Sequence, residues 1–393
     1  MQELEALASR FKFSLDTLSE LERIYGEHVA EVVQSLKSPG RHYYFRVNTL
    51  KATVDCVVKR FEERNLRVHV HPLIEEALYF EVEKSQSVER FEKKVVVDKF
   101  TAESVLQGAH VYAPGIVKCQ GLRIGNKVSI VDDQGQTVGA GIARMNESSI
   151  LALRRGLAIE VTFPLYRIPS LRETSEYEQG LVYPQSLPAI LTSRILSPQA
   201  GETIVDFTCS PGGKLSHIGQ LTKGRARIIG VDRNETKISS ARETIRRMGC
   251  NEVALITHDA RYLDVDFPGL VADRCLVDPP CSALGVKPKT YEYTSREEIE
   301  ALATYQRQFL KAASKMLRPG GILVYSVCTV TLSECEGNVK FAVDECGLEV
   351  EAQDLMLGSA GIDTLLREGK LTQRFHPHLH DSGYFIAKFR KKG

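Results

Sequence analysis

From about residue 175 onward the chain alternates short β-rich runs with helical segments, and this alternation restricts the fold more than any other feature. The runs are "TIVDFT", "ARIIGVD", "VALITHD", "RCLVDPP", "ILVYSVCT" and "YFIAKFR". Segments such as "ETKISSARETIRRMG" and "REEIEALATYQRQFLKAASKML" lie between them. Strands joined through helices pair in parallel with helices on both faces, so the spacing predicts an α/β, doubly wound, Rossmann-like core. Ligands of such sheets bind beyond the carboxyl ends of the strands. Asp206, Asp232, Asp259, Asp278, Cys281 and Cys328 all fall at those ends. Packing alone gives no reason for so many acids there.

A chain of 393 residues is too long for one ordinary core. Residues 1–90 combine an amphipathic helical start with "YYFRVNTL" and "EALYFEVEK", which alternate as strands do, and read as an N-terminal α+β region packing on the core. Residues 91–165 carry "KKVVVD", "KVSIVDD", "GQTVGAGIAR" and "LAIEVTF" between Gly-containing turns, with one short helix at "TAESVLQGA". That is the pattern of a small β-rich domain. Residues 166–393 hold the Rossmann-like domain.

Nine cysteines are scattered without paired spacings, so neither a disulfide framework nor a structural zinc site is expected. No apolar run approaches the roughly 18 residues that span a bilayer. No membrane, no metal and a reducing cytoplasmic compartment are the expectations. The net charge of +1 neither favours nor excludes a nucleic-acid partner, because the placement of charge decides binding. "LTKGRARIIGVDRNETKISSARETIRRMG" and "KFRKKG" are Lys/Arg-rich, and a solvated face explains them as well as RNA does.

"DFTCSPGGKLSHIG" leads from the first strand of this core into a helix. Pro211, Gly212 and Gly213 let backbone pass close to a ligand, with helix-start amides facing it. The loop is neither a Walker loop nor Gly-x-Gly-x-x-Gly, and a tight turn accounts for it equally well. Asp232 tips the balance, since an acid about twenty residues on at the second strand end binds ribose hydroxyls in such folds. Asp259, at the third strand end, can accept from an adenine amino group. An adenosine-type ligand fits, and the lack of a diphosphate loop favours S-adenosyl-L-methionine over NAD.

"DPPC" and "SVCT" place a carboxyl and two thiols at neighbouring strand ends. Methylating carbon 5 of a pyrimidine needs such groups, because that carbon is a poor nucleophile until a thiolate adds to carbon 6. A carboxyl group beside ring nitrogen 3 assists the attack. A single cysteine is more often a small buried hydrophobe, and Cys56, Cys119, Cys250, Cys275, Cys335 and Cys346 are read that way. Cys209, inside the loop, is ambiguous. Spacing alone nominates Cys281 as the attacker.

In order, "DFTCSPGGK", "VDRN", "DPPCSALG", "YSVCTVTLSECEGNV" and "DSGYFIAKF" resemble the Sun-domain family of RNA 5-methylcytosine methyltransferases. "RVNTLK" and "GLVYPQSLPA" resemble that family's N-terminal motifs, and residues 92–165 resemble a PUA domain. The resemblance implies a cofactor loop at Thr208, Cys209, Ser210, Pro211, Gly212, Gly213 and Lys214. It implies Asp232 and Lys237 around the ribose, Asp259 near the adenine, and Asp278 beside the methionine end and the target base. Cys328 is implied as the nucleophile and Cys281 as the thiol that assists release, with Asp278 the acid at the ring nitrogen and Lys214 positioning it. An inserted PUA domain resembles the tRNA-directed branch, which implies a monomer methylating a cytosine near the 3′ end of the acceptor stem. Gly108, Ala109, Pro114 and Gly115 are then candidate contacts to the CCA end, although glycines there also satisfy turns. Departures are Thr208-Cys209-Ser210 for Cys-Ala-Ala, Ala283 for Gly, Ser-Val-Cys for Ser-Thr-Cys, and "TLSECE" without Pro-Glu-Glu-Asn. Two other readings are the same chemistry on ribosomal RNA and a non-catalytic RNA-binding protein with a methyltransferase fold; intact Asp278, Cys281 and Cys328 weigh against the second.

Overall fold

The computed structural model describes residues 2–85 and 87–393. Its largest sheet runs, in spatial order, Val253–Thr257, Arg227–Asp232, Thr203–Asp206, Ala272–Val277, Leu317–Val327 and Tyr384–Lys391, continued by Gln373–Phe375 and Ser359–Ala360. The first five strands are parallel. Tyr384–Lys391 departs from the parallel expectation, pairing antiparallel to Leu317–Val327. "YFIAKFR" carries no sign of direction by itself; the return of the chain through Leu348–Glu351 and Gln373–Phe375, both antiparallel to it, sets that direction.

Chain order reverses at Thr203–Asp206, which lies between Arg227–Asp232 and Ala272–Val277. A crevice therefore opens beyond the carboxyl ends of these strands. Both faces are covered, as buried Val205, Val231 and Val277 require. Phe309, Leu310 and Ala313 pack on one side and Leu191, Leu215 and Ile245 on the other. The helix Arg296–Met316 starts with a capping box between Ser295 and Glu298, which satisfies two otherwise orphaned amide donors. Asn234 caps the helix Glu235–Met248, and Gly249 ends it at a left-handed φ of 76°.

The helices Gln2–Phe11, Leu15–Tyr25 and Val29–Leu36 bury Leu18, Leu21, Val32 and Val33 against Leu284, Ile299 and Val330. Each such buried side chain is worth about 1.5–3 kcal/mol relative to exposure. Leu284 follows "DPPC" and Val330 follows Cys328, so the N-terminal helices brace both thiol-bearing loops from below. A four-stranded antiparallel sheet of Val182–Pro184, His42–Val47, Ile74–Glu81 and His69–His71 comes next. Its edge strand Val182–Pro184 lies beyond the small β-rich domain in sequence, so that domain is an excursion from within this unit.

The β-rich domain orders its strands Val111–Tyr112, Leu157–Pro164, Thr137–Ala143, Lys127–Val131, Lys94–Val97 and Ile116–Lys118. The expected short helix forms at Lys99–Leu106, where the Asp98 carboxylate accepts from the Thr101 amide at 2.8 Å. Val95, Val105, Val128, Ile130 and Ile159 make its separate core.

Candidate active site

A cleft of 280 Å³ opens at the carboxyl ends of the parallel strands. Thr208, Ser210, Asp232, Lys237, Asp259, Asp278, Cys281 and Cys328 line it, so the sheet gathers most of the sequence-selected residues into one place. Cys209, Pro211, Gly213 and Lys214 line an adjoining 200 Å³ recess that shares Thr208, Ser210 and Asp278. The Cys209 thiol itself packs into the core beside Leu215 and Ile228, and burial pushes it far above the usual thiol range. Gly212 lines neither space. It starts the helix Gly213–Leu221 at φ 97°, and a Cβ there would sit 3.2 Å from Thr244.

Two features suit this cleft to an adenosine-type cofactor. The Thr208 hydroxyl oxygen is buried without a hydrogen-bond partner among the described residues, a cost of about 1–3 kcal/mol that a ligand can remove. Asp232 and Asp259 also present carboxylates from neighbouring strand ends. Asp259 is already bound by Arg261 at 2.5 Å, which holds its carboxyl below the usual range. Arg233 and Tyr305 join this lining without having been selected from the sequence.

At the other end of the cleft the Cys281 and Cys328 sulfurs are 3.3 Å apart. The hydrogen bond from the Cys281 thiol lowers the Cys328 pKa, against burial and the charge of Asp278; the Lys214 charge acts in the same direction as the bond. The same contact, with burial, drives Cys281 well above the usual range. The two thiols thus shift in opposite directions, downward at Cys328 and upward at Cys281.

Lys214 donates to Asp278 Oδ2 at 2.5 Å. Burial opposes its charge, yet Asp278 and Tyr384 keep the ammonium above its ordinary pKa. The Ser326 hydroxyl donates to Asp278 Oδ1 at 2.6 Å and the Tyr384 hydroxyl at 3.1 Å. Asp206, one strand away and buried, has its carboxyl pushed up to about 7, chiefly by burial. Sequence reading missed Ser326 and Tyr384, although both lie in the quoted motifs "YSVCT" and "DSGYFIAKF". A hydroxyl at a strand position signals nothing until the partner strand is known, and Ser326 pairs with Ile386 across an antiparallel register.

Glu334 was also missed. It is fully buried and accepts from the Ser282 amide at 2.9 Å, the Ser282 hydroxyl, Gln306 Nε2 at 2.9 Å and the Thr331 hydroxyl at 2.9 Å. Backbone contact joins the loops further on, where the Gly383 amide donates to the Gly285 carbonyl at 2.7 Å. A Cβ on Gly285 would lie 2.2 Å from the Gly383 carbonyl oxygen, so the two chains pass too closely for any side chain.

Cys328 also lines a second cleft of 470 Å³, with His42, Tyr44, Lys287, Asp381 and Tyr384. A third cleft, of 590 Å³, lies against the β-rich domain and is lined by Gly108, Ala109, Pro114 and Gly115, all four sequence-selected positions there. Gly115 is also required by packing, since a Cβ would meet the Thr101 hydroxyl at 2.0 Å. Phe100 and Tyr112 project into this cleft while 79% and 53% exposed. Tyr43, Gln107 and Ile168 line both the second and third clefts, so the two adjoin.

Comparison with known proteins is in keeping with this geometry. The family described as 16S rRNA methyltransferase RsmB/F matches residues 193–390, and the PUA domain matches residues 93–165. The chain is 43% identical over 370 residues to a tRNA (cytosine(72)-C(5))-methyltransferase of Pyrococcus horikoshii, covering 93% of each. It is 30% identical to the human tRNA (cytosine(72)-C(5))-methyltransferase NSUN6, covering 88% of this chain and 82% of that protein. The crystal structure of NSun6 from Pyrococcus horikoshii with SFG superposes with a TM-score of 0.88 at 41% identity, covering 97% of this chain and 99% of that one. With a class I methyltransferase sheet and paired thiols beyond the carboxyl ends of two of its strands, the chain belongs to the RsmB/F methyltransferase family and carries a PUA domain.

Proposed function

We propose that the protein methylates carbon 5 of a cytosine in tRNA, near the 3′ end of the acceptor stem, using S-adenosyl-L-methionine. One observation carries the reading: Cys328 lines both the cleft bearing Asp232 and Asp259 and the cleft that adjoins the one beside the PUA domain. A thiol at that junction can reach a base entering from one side and a methyl donor held on the other. The tRNA-directed names of relatives aligned over 93% and 88% of the chain support the substrate class.

Thr208, Ser210, Asp232, Lys237 and Asp259 hold the cofactor, with Asp278 at the methionine end; its relative's ligand SFG is an analogue of S-adenosylmethionine. When bound, the cofactor supplies an electrophilic methyl group on a sulfonium. The Cys328 thiolate adds to carbon 6 of the base, which makes carbon 5 nucleophilic. The Asp278 carboxylic acid, positioned by Lys214, Ser326 and Tyr384, gives its proton to ring nitrogen 3, where negative charge develops as the thiolate adds. After methylation the carbon 5 proton passes to a water molecule, its bonding pair re-forms the carbon 5–carbon 6 double bond, the carbon 6–sulfur bond breaks with Cys328 departing as a thiolate, and Asp278 recovers the nitrogen 3 proton. The Cys281 S–H, in contact with that sulfur, stabilises the departing anion.

Bases of a single-stranded end are free to stack, and Phe100 and Tyr112 offer exposed rings for that purpose beside Gly108 and Ala109. The CCA end lies there and the strand runs past Tyr43 and Gln107 toward Cys328.

The test is incubation of tRNA or ribosomal RNA with labelled cofactor, followed by bisulfite mapping. A methylated cytosine at the acceptor end of tRNA is the expected product. Cys281→Ala should trap a protein–RNA adduct on a denaturing gel. Wild-type turnover by Cys328→Ala, or methylation confined to ribosomal RNA, would sink the reading.

A further inference from the structure

The geometry points to Glu334 as a positioning residue that sets the distance between Cys281 and Cys328. The inference rests on the methyltransferase reading for its consequence in catalysis, but the spacing itself can be measured without RNA.

The two thiols sit on separate loops that follow separate strands, Ala272–Val277 and Leu317–Val327. Parallel pairing of those strands aligns their ends only up to Val277 and Tyr325. Beyond that register no ladder holds Cys281 opposite Cys328. The Gly285 amide donates to the Cys328 carbonyl at 3.1 Å, four residues past Cys281, and Glu334 bridges the two loops next to Cys281 itself. One carboxylate oxygen accepts from the Ser282 amide, next to Cys281, at 2.9 Å, and also from Gln306 Nε2 at 2.9 Å. The other accepts from the Ser282 hydroxyl and from Thr331, three residues past Cys328. Gln306 in turn donates to the Pro280 carbonyl at 2.9 Å, and Tyr325, last in the ladder, donates to the Glu334 carbonyl at 2.6 Å. A direct Ser282–Thr329 hydroxyl contact of 2.7 Å lies inside the same ring. Glu334 is thus bonded on both sides of the gap between the thiols while touching neither cofactor cleft nor RNA cleft.

Reach and charge can be separated. Glu334→Asp keeps the charge and withdraws the carboxylate by one methylene, whereas Glu334→Gln keeps the reach and removes the charge. Spacing is read in RNA-free protein by diamide. Cys281–SH and Cys328–SH form one S–S bond while the diazene N=N takes both hydrogens and becomes the hydrazine. Peptide mapping follows the closure rate of that disulfide. With tRNA and labelled cofactor, adduct release after a single turnover and the KM for RNA are read in parallel.

The expected result is Glu334→Asp closing the disulfide and releasing the adduct about ten- to a hundredfold more slowly than Glu334→Gln, at similar KM, as a displacement of about 1 Å does in active sites. Equal rates for both variants and wild type would overturn the inference. So would a Gln variant as slow as the Asp variant, because charge would then be what matters. If wild type methylates no RNA yet the order of disulfide closure holds, the spacing role stands and the functional reading falls.

Discussion

The ground around Cys328 and the cleft beside Gly108 recognise the same proposed substrate by opposite means. At Cys328 every reacting group is enclosed and already bonded: Asp278 receives Lys214, Ser326 and Tyr384, and Cys328 receives Cys281. At Gly108 the cleft offers exposed rings and backbone, with Phe100 79% exposed. The first arrangement is preorganised, so little has to reorder as charge develops on the base. The second suits a flexible strand, because stacking tolerates varied geometry. Chemistry demands fixed donors, while capture demands only surface of the right kind.

Five substitutions would break or sharpen that contrast. Cys328→Ala is expected to abolish methyl transfer while leaving tRNA binding in a filter assay intact; loss of binding instead would mean the two regions are not separable. Asp278→Asn should lower single-turnover rate by about 10²–10⁴-fold, the range for a lost acid–base group. A near-normal rate would remove Asp278 from the chemistry.

On the capture side, Phe100→Ala and Tyr112→Ala should each weaken RNA binding by about 1–3 kcal/mol, the worth of one stacked base, with the rate at saturation unchanged. A fall in the saturated rate would show that the PUA cleft also aligns the target base. Tyr384→Phe removes one of three donors to Asp278 and should cost about 0.5–1.5 kcal/mol of transition-state stabilisation, a few-fold in rate.

Alkylation gives the corresponding pH test. The Cys328 pKa is lowered, so its reactive thiolate is gained as pH rises through a value below that of an ordinary cysteine. Iodoacetamide should therefore label Cys328 at lower pH than Cys281, whose thiol is raised. Cys281→Ala removes the donor and should move Cys328 labelling to higher pH. Labelling of Cys281 first would reverse the assignment of the pair.

Much of the catalytic end was legible along the chain. Asp206, Asp232, Asp259, Asp278, Cys281 and Cys328 follow strands that the alternation itself marks out, and a doubly wound sheet must bring such ends together. Gly108, Ala109, Pro114 and Gly115 line one cleft because they flank one helix and one turn, which is local information. Cys209 and Gly212 could not be told from cofactor contacts, because a loop of alternating directions conceals which residues face inward.

What the sequence determined by itself is the order of strands, the chemistry at their ends and the presence of two thiols. Tertiary structure decided the rest, since each remaining feature is a contact between segments distant in the chain. It set Tyr384–Lys391 antiparallel, which brings the Tyr384 hydroxyl to Asp278. It pressed Gly285 against Gly383 and closed Glu334 over Ser282. It also brought the two sulfurs into contact, because what surrounds a thiol across space, and not its neighbours in sequence, sets how readily it ionises.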